Sequence, residues 1–285
     1  MAIWHKKHGL ASKVDYRRPP DGRRFCLWHL HPKSQATSAI PTSYDLTPYR
    51  PAIYDQGSLG ECTACGTVGS VQTTLAAAGR PVSPPLAPLS LYHPTRMLER
   101  AADWSGGSLP PLADSGANPD DAYLALQLYG CRTTVDECGE AGPSAALTAY
   151  EEAHVNDPIV AEELILDTRF KTVGQFAITS TGQQRLDDVA RAVASKFAVG
   201  VSVYAADDRF QGYTQGIMAG PPENSVPDHW VYLTKFYTDA SSHRVFGLPN
   251  SWSELWGLGG EFLACEAIIL AADCLMVASV TEVTT

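Results

Sequence analysis

The sequence predicts an α+β fold of two lobes, a helical lobe first and a β-rich, barrel-like lobe second. Helical apolar patterns occupy the first half of the chain, and short alternating apolar runs dominate the second half. The regular alternation of strands and helices that is typical of a parallel sheet is missing. With 285 residues, 45% of them hydrophobic and 18% charged, the chain can bury one large core or two smaller ones.

The best-marked helix of the first half begins near Ser58. Ser58 and Glu61 are spaced as in a capping box, and Gly79 is typical of the residue that follows a helix. This pattern places Cys62 in the first turn. Between Ser58 and Gly79, apolar residues recur at helical intervals: Ala64, Val68, Val71, Leu75 and Ala78.

The remaining elements are predicted from their own start and stop signals. Pro119 begins a helix that Asn118 caps and that Gly130 ends. The other predictions are a short helix over 89–100, a helix over 185–197, and strands over 199–203, 229–237, 244–248 and 261–264.

The N-terminal segment is a basic arm on an acidic body. Residues 1–33 contain eight Lys and Arg against two Asp, and the rest of the chain contains 13 basic against 29 acidic residues. The acidic body argues against nucleic acid as a partner, because phosphates would be repelled. The charge pattern leaves open whether the arm contacts its own body or a partner subunit.

Domain organisation follows from this change in composition. We assign residues 1–39 to the arm, which could be a short pro-like or docking segment, and residues 40–285 to one domain. Its helical lobe covers about 56–150, and its β-rich lobe covers about 198–285 with part of 40–55.

No apolar run approaches the roughly 20 residues of a membrane helix, so we expect no membrane partner. The first residues lack the apolar region of a signal peptide, which favours a cytoplasmic or non-classically delivered protein. Seven cysteines cannot all pair within one chain, so at least one thiol is expected to be free. Cys131 and Cys138 could pair or remain free.

Two residues near the start of the first helix have the character of a reactive site. Cys62 lies at the positive end of the helix dipole, which favours the thiolate form of its side chain. Gln56 lies six residues earlier, in a loop with two glycines. Its amide and the Cys62 backbone N–H could form the two donors of an oxyanion hole.

A nucleophilic cysteine needs a base and an acceptor that orients that base. Candidates follow far downstream, where His229 begins a predicted strand and Asn250 precedes Ser-Trp252. Short motifs occur in the following order over residues 56–262: Gln-Gly-x-x-Gly-x-Cys-x-Ala, then Asp-His, then Asn-Ser-Trp-x-x-x-Trp-Gly-x-x-Gly. This series resembles the papain-like cysteine peptidases. The resemblance implies the two-lobed fold of that family, with the active-site cleft between the lobes.

The resemblance also implies a role for each matching residue. Cys62 would be the nucleophile and His229 its general acid/base, and Asn250 would hold the histidine ring. Gln56 and the Cys62 N–H would form the oxyanion hole, Trp252 would shield the pair, and Ser115 and Gly116 would bind the substrate main chain. A peptide or protein substrate is implied, with no cofactor and no metal.

Several positions depart from the family pattern. Glu61 places a carboxylate beside the thiol, which opposes thiolate formation unless the side chain turns away to cap the helix. Trp230 replaces a small residue and would narrow the cleft. The long separation of Cys62 and His229 predicts an insertion at 206–228. Only the N-terminal arm could replace the long pro-region of the family.

Other interpretations remain open at this point. The chain could be a papain-fold binding or structural subunit of a larger assembly with weak or no catalysis, or an amidase or acyl-transfer enzyme that uses the same three residues. Cys62-x-x-Cys65 also resembles a thioredoxin motif, but it lacks the surrounding βαβ pattern. Cys26, His29 and His31 lack a fourth ligand for zinc at the usual spacing.

Overall fold

The computed structural model describes residues 39–103, 113–157, 170–223 and 225–282. The helices in this part of the chain are α1 (Cys62–Ala77), α2 (Pro88–Asp103), α3 (Pro119–Leu128), α4 (Thr134–Cys138), α5 (Ala145–His154), α6 (Gly182–Ala194), α7 (Asp208–Gln211) and α8 (Glu266–Ala271). The strands are β1 (Ser43–Asp45), β2 (Phe170–Ala177), β3 (Val199–Val203), β4 (Ile217–Met218), β5 (His229–Leu233), β6 (Lys235–Thr238), β7 (Arg244–Pro249), β8 (Glu261–Cys265) and β9 (Leu275–Glu282).

The described strands form two sheets. One has the order β1-β6-β7-β8-β4, and the other has the order β2-β9-β3-β5. All pairings are antiparallel except that of β4 with β8. Only Thr234 separates β5 from β6, so the chain passes from one sheet into the other within a single residue. The predicted strand over 229–237 is therefore two strands.

Helix α1 lies at the centre of the molecule and is buried on all sides. Of its sixteen residues only Ala76 is not fully buried. Two glycines let β5 approach the helix closely: a Cβ added at Gly66 would lie 2.7 Å from Trp230, and one at Gly69 would lie 2.5 Å from Tyr232. The small residues of α1 are thus explained by its close packing against the strand that begins at His229.

Trp230 does not narrow the cleft, contrary to the expectation from its position. Its side chain is 2% exposed and belongs to the core around α1. Besides Gly66, it packs on Gly200 of β3, where an added Cβ would lie 2.3 Å from the indole ring. The pleat of β5 explains the error, because residues next to each other on a strand point to opposite faces.

Two hydrophobic cores flank the site. One is built mainly from α6 and the strands of both sheets, and the other from helices α1, α2 and α3 with Trp230 and Met276. Helices α1 to α5 come before every described strand except β1, and the two sheets are almost wholly antiparallel, so the predicted α+β fold class is confirmed. The domain boundaries stay a prediction, and apart from residue 39 the basic arm and the residues Cys26, His29 and His31 lie outside the described residues.

Most predicted elements are present, with shifted ends. The capping box is wrong, because α1 begins at Cys62 with Glu61 as its N-cap and no side-chain cap. Ser58 instead donates two hydrogen bonds to Glu152, both of 2.9 Å. Gly79 does adopt the left-handed conformation expected after a helix, with φ of 79°. Strand β2 and helices α4 and α5 were not predicted.

Cys138 is a free thiol, so Cys131 and Cys138 do not form a disulfide with each other. Within the described ranges, no helix is long and apolar enough to cross a membrane.

Candidate active site

The candidate nucleophile lies where the loop before α1 becomes helix. Cys62 is the first helical residue and its side chain is 2% exposed. The N–H groups of a first helical turn have no partner within the helix. Gly57, with φ of 57°, allows the turn of the loop that leads from Gln56 to the cysteine.

His229 and Asn250 are brought together by adjacent strand ends. His229 is the first residue of β5, and Asn250 directly follows β7. The His229 Nε2 atom lies 2.7 Å from Asn250 Oδ1. The same oxygen accepts the backbone N–H of Ser251 at 2.8 Å. Because Oδ1 can only accept a hydrogen bond, the Nε2 atom of His229 carries a proton. The Nδ1 atom is then the ring nitrogen that interacts with the Cys62 sulfur.

The pKa values of Cys62 and His229 shift towards an ion pair. Burial by itself would raise the pKa of the Cys62 thiol, but the positive charge of His229 and a hydrogen bond with its ring outweigh burial and lower it. Burial would lower the pKa of His229, but the Cys62 charge, the same hydrogen bond and the bond to Asn250 raise it. Both shifts favour thiolate and imidazolium.

Aromatic rings enclose the His229–Asn250 pair. The Trp252 ring centroid lies 5.2 Å from that of His229, and the Phe210 centroid lies 5.8 Å away in an edge-on arrangement. Phe210 and Trp252 also contact each other edge to face at 5.3 Å. These rings exclude water from the hydrogen bond, which strengthens it.

Phe210 was missed by the sequence analysis, although it lies in the predicted 206–228 insertion. The segment contains the short helix α7, which is capped by the side chain of Asp207. Phe210 is 1% exposed and also contacts Trp256 and Phe262. The available signal was an Asp at an N-cap position followed by a lone aromatic residue. The insertion therefore contributes a wall of the site.

Gln56 is held beside the nucleophile by bonds at both ends of its amide. Its Nε2 donates to the Leu59 carbonyl at 2.6 Å, and its Oε1 accepts the hydroxyl of Ser251. The backbone N–H of Gln56 also donates to the Ser251 carbonyl at 2.9 Å. Ser251 thus connects the loop of Gln56 to the loop of Asn250, a role that the sequence analysis did not predict.

The segment with Ser115 and Gly116 lies against the loop before Cys62. A Cβ added at Gly60 would lie 2.9 Å from the Gly116 nitrogen, so only glycine fits there. The Gly116 N–H donates to the Tyr92 hydroxyl at 2.9 Å. This N–H therefore serves the fold of the loop, whereas Ser115 is exposed, and substrate binding by the two residues stays a prediction.

Glu61 does not cap the helix, and its conflict with the thiolate is resolved differently. The side chain is fully buried, and its Oε1 lies 3.9 Å from the Cys65 sulfur. Burial, followed by the charges of Glu151 and Asp114, raises its pKa well above the usual range. Burial also raises the pKa of Glu151. A carboxyl group with a raised pKa is less readily ionised, which reduces the conflict between Glu61 and the Cys62 thiolate.

No group of three or more His, Cys, Asp or Glu side chains with metal-binding geometry occurs in the described ranges. The site joins a cysteine with a lowered pKa, a histidine with a raised pKa that Asn250 orients, and the side-chain amide of Gln56. These are the parts needed for acyl transfer through a thioester.

The fold and this constellation define the class of papain-like proteins, in which a cysteine at a helix start faces a histidine at a strand start. The family model for papain family cysteine proteases matches residues 126–280, more than half of the chain. The chain therefore belongs to the papain family of cysteine proteases. The matched stretch contains His229 and Asn250 and begins after Cys62.

Individual relatives are distant in sequence. Cathepsin L1 of Drosophila melanogaster is 34% identical over 70 residues, which is 24% of this chain and 19% of that protein. Procathepsin L 3 from the Tenebrio molitor larval midgut superposes with a TM-score of 0.62 at 18% identity, covering 86% of this chain and 72% of that one. Bromelain from Ananas comosus in complex with the E64 inhibitor superposes with a TM-score of 0.59 at 17% identity, covering 84% and 99%.

Proposed function

We propose that this protein is a cysteine endopeptidase that hydrolyses peptide bonds through an acyl-enzyme on Cys62. The observation that carries the proposal is the hydrogen-bonded arrangement of His229 and Asn250 beside a cysteine whose pKa is lowered. Membership of the papain family supports a peptide or protein substrate.

Acylation uses the ion pair directly. The Cys62 thiolate attacks the carbonyl carbon of the scissile bond, and the π electrons move onto the carbonyl oxygen. The Cys62 backbone N–H and the second N–H of the Gln56 amide stabilise this oxyanion. His229 then donates its Nδ1 proton to the leaving amine as the C–N bond breaks, and a thioester remains.

Deacylation reverses the roles. Neutral His229 removes a proton from a water molecule, which attacks the thioester carbonyl. The carbonyl re-forms as the C–S bond breaks, and the products are the carboxylic acid and the thiolate–imidazolium pair. Throughout the cycle Asn250 accepts the Nε2–H, so Nδ1 stays directed at the sulfur.

Alkylation kinetics test the nucleophile. Iodoacetamide or an epoxide should label Cys62 before the other thiols, because a thiolate reacts and a neutral thiol does not. His229→Ala should slow this labelling strongly, whereas replacement of the exposed His243 by Ala serves as the matched control. Labelling of more exposed thiols, such as that of Cys138, before Cys62 would contradict the proposal.

Cleavage of a peptide library then tests the reaction. Cleavage that is lost in Cys62→Ala supports an endopeptidase. Rapid labelling of Cys62 without any cleavage would favour an amidase, an acyl-transfer enzyme or a subunit without turnover.

A further inference from the structure

Helix α1 contains a second buried thiol that the proposed catalytic cycle does not use. Cys65 is 2% exposed, as is Cys62, and it follows Cys62 by three positions in the first turn of the helix. Its backbone N–H donates to the Glu61 carbonyl at 3.0 Å, so it belongs to the regular helix. The ring that this bond closes contains Cys62, which is the first helical residue.

The spacing brings the two thiols close to disulfide geometry. Residues three apart on a helix are surface neighbours, with Cβ atoms about 5–6 Å apart. A disulfide requires Cβ atoms about 3.5–4.5 Å apart. The N–H group of Cys62 makes no intrahelical bond, so a shift of the first helical turn together with rotation of the two side chains can close the difference. The pair needs no rearrangement of either sheet.

The surroundings of the two sulfurs differ in a way that assigns them different roles. The side chain of His229 faces Cys62 and favours its thiolate. The Cys65 sulfur instead lies 3.9 Å from Glu61 Oε1, and burial, followed by the nearby carboxyl groups, raises the pKa of Cys65, which favours the neutral thiol. Cys65, Gly66 and Asn250 also line a small cavity behind the site.

We propose that Cys62 and Cys65 form a reversible disulfide when the protein meets a hydroperoxide, so that Cys65 protects the nucleophile from irreversible oxidation. The inference rests on the proposed function in one respect, namely that Cys62 is a thiolate. The Cys62 thiolate attacks the distal peroxide oxygen, the O–O bond breaks, and the sulfenic acid and an alkoxide or hydroxide form.

The second step forms the sulfur–sulfur bond. The Cys65 sulfur attacks the sulfenic sulfur of Cys62, the S–O bond breaks, and the hydroxide leaves as water with the proton of the Cys65 thiol. Two thiols and one peroxide thus give one disulfide, one alcohol or water from the peroxide, and one water. A dithiol reductant returns both thiols.

Peptide mapping after peroxide treatment tests the disulfide. The reduced full-length protein is exposed to hydrogen peroxide, alkylated with iodoacetamide and digested. We expect the peptide with Cys62 and Cys65 to lose the mass of two hydrogen atoms, to resist alkylation, and to regain it after dithiothreitol.

The variants Cys65→Ala and Cys65→Ser should behave differently from the wild type. Without Cys65, Cys62 should gain two or three oxygen atoms, and dithiothreitol should not restore alkylation. Cys138→Ala, which removes a more exposed thiol, is the matched control and should retain the protection. Two Cys65 variants, each checked by circular dichroism, separate loss of the thiol from loss of the fold.

Two results would overturn the inference. Wild-type Cys62 could acquire two oxygen atoms as fast as in the Cys65 variants, or peroxide could join Cys62 to a different cysteine. Alkylation of the reduced protein separates these failures from failure of the proposed function. Preferential labelling of Cys62 without disulfide formation rejects only the redox inference, whereas absence of preferential labelling rejects the proposed thiolate itself.

Discussion

The orientation of the His229 ring depends on a single amide oxygen. Asn250 Oδ1 accepts both the His229 Nε2–H and the Ser251 backbone N–H, so the amide cannot rotate without loss of two hydrogen bonds. The surrounding Trp252 and Phe210 rings keep water from replacing them. The orientation of the proposed acid/base is thus set by Asn250, which takes no part in the bond-making steps.

Replacement of Asn250 by Ala should impair catalysis more than folding. A hydrogen bond to a charged group contributes about 1.5–3 kcal/mol, which corresponds to roughly a ten- to hundredfold loss in kcat/KM. The bond to Asn250 raises the pKa of His229, so the alkaline limb of the pH–activity profile should move to lower pH. A profile with an unchanged alkaline limb would contradict this role.

A second prediction at this scale concerns the buried carboxyl of Glu61. Its neighbours are Glu151 of α5, Asp114 before α3, and Arg96 of α2. The two carboxyl groups raise the pKa of Glu61, and the positive charge of Arg96 partly opposes this effect. Folding raises the pKa of Glu61, so the folded state keeps a proton that the unfolded state releases. The associated stability is fully present below the ordinary carboxyl pKa and is lost as pH rises through the folded-state pKa.

Urea unfolding of Glu61→Gln at several pH values measures this effect. The variant should gain stability over the wild type as pH rises above about 4.3, by at most about 1.4 kcal/mol per pH unit. Glu254→Gln, at an exposed site, should show no such trend. Parallel curves for the wild type and Glu61→Gln would mean that the carboxyl ionises normally.

At the scale of elements, the contact of α1 with β5 brings Cys62 and His229 to the same place. Both residues are the first of their elements, so the helix and the strand must meet near their starts. Gly66, Gly69 and Gly200 provide the room for the large side chains of β5. A helix with larger side chains at positions 66 and 69 would hold the strand further away.

Gly66→Ala tests this packing. The new Cβ would lie 2.7 Å from Trp230, and such overpacking costs about 1–3 kcal/mol, against a gain of about 1 kcal/mol in helix propensity. We expect a lower free energy of unfolding and slower alkylation of Cys62. The double variant with Trp230→Leu should recover part of the loss, and a stabilised single variant would show that the contact is not tight.

At the scale of the whole molecule, the two cores meet around the candidate site. The bond from Ser251 to Gln56 and the bridge between Asp55 and Trp252 connect the loop before α1 to the loop after β7. A site formed by chain segments nearly two hundred residues apart requires both cores to be folded. We propose that the residues 40–285 fold as this one domain.

The sequence by itself determined the fold class, the helix that presents Cys62, the strand that presents His229 and the family to which the chain belongs. These follow from apolar periodicity and short motifs, which are local properties of the chain. Only the tertiary structure decided that Trp230 faces the core, that Phe210 encloses the histidine, and that Glu61 is buried beside Glu151 with a raised pKa. Burial and distant neighbours determine side-chain direction and charge state, and neither can be derived from spacing along the chain.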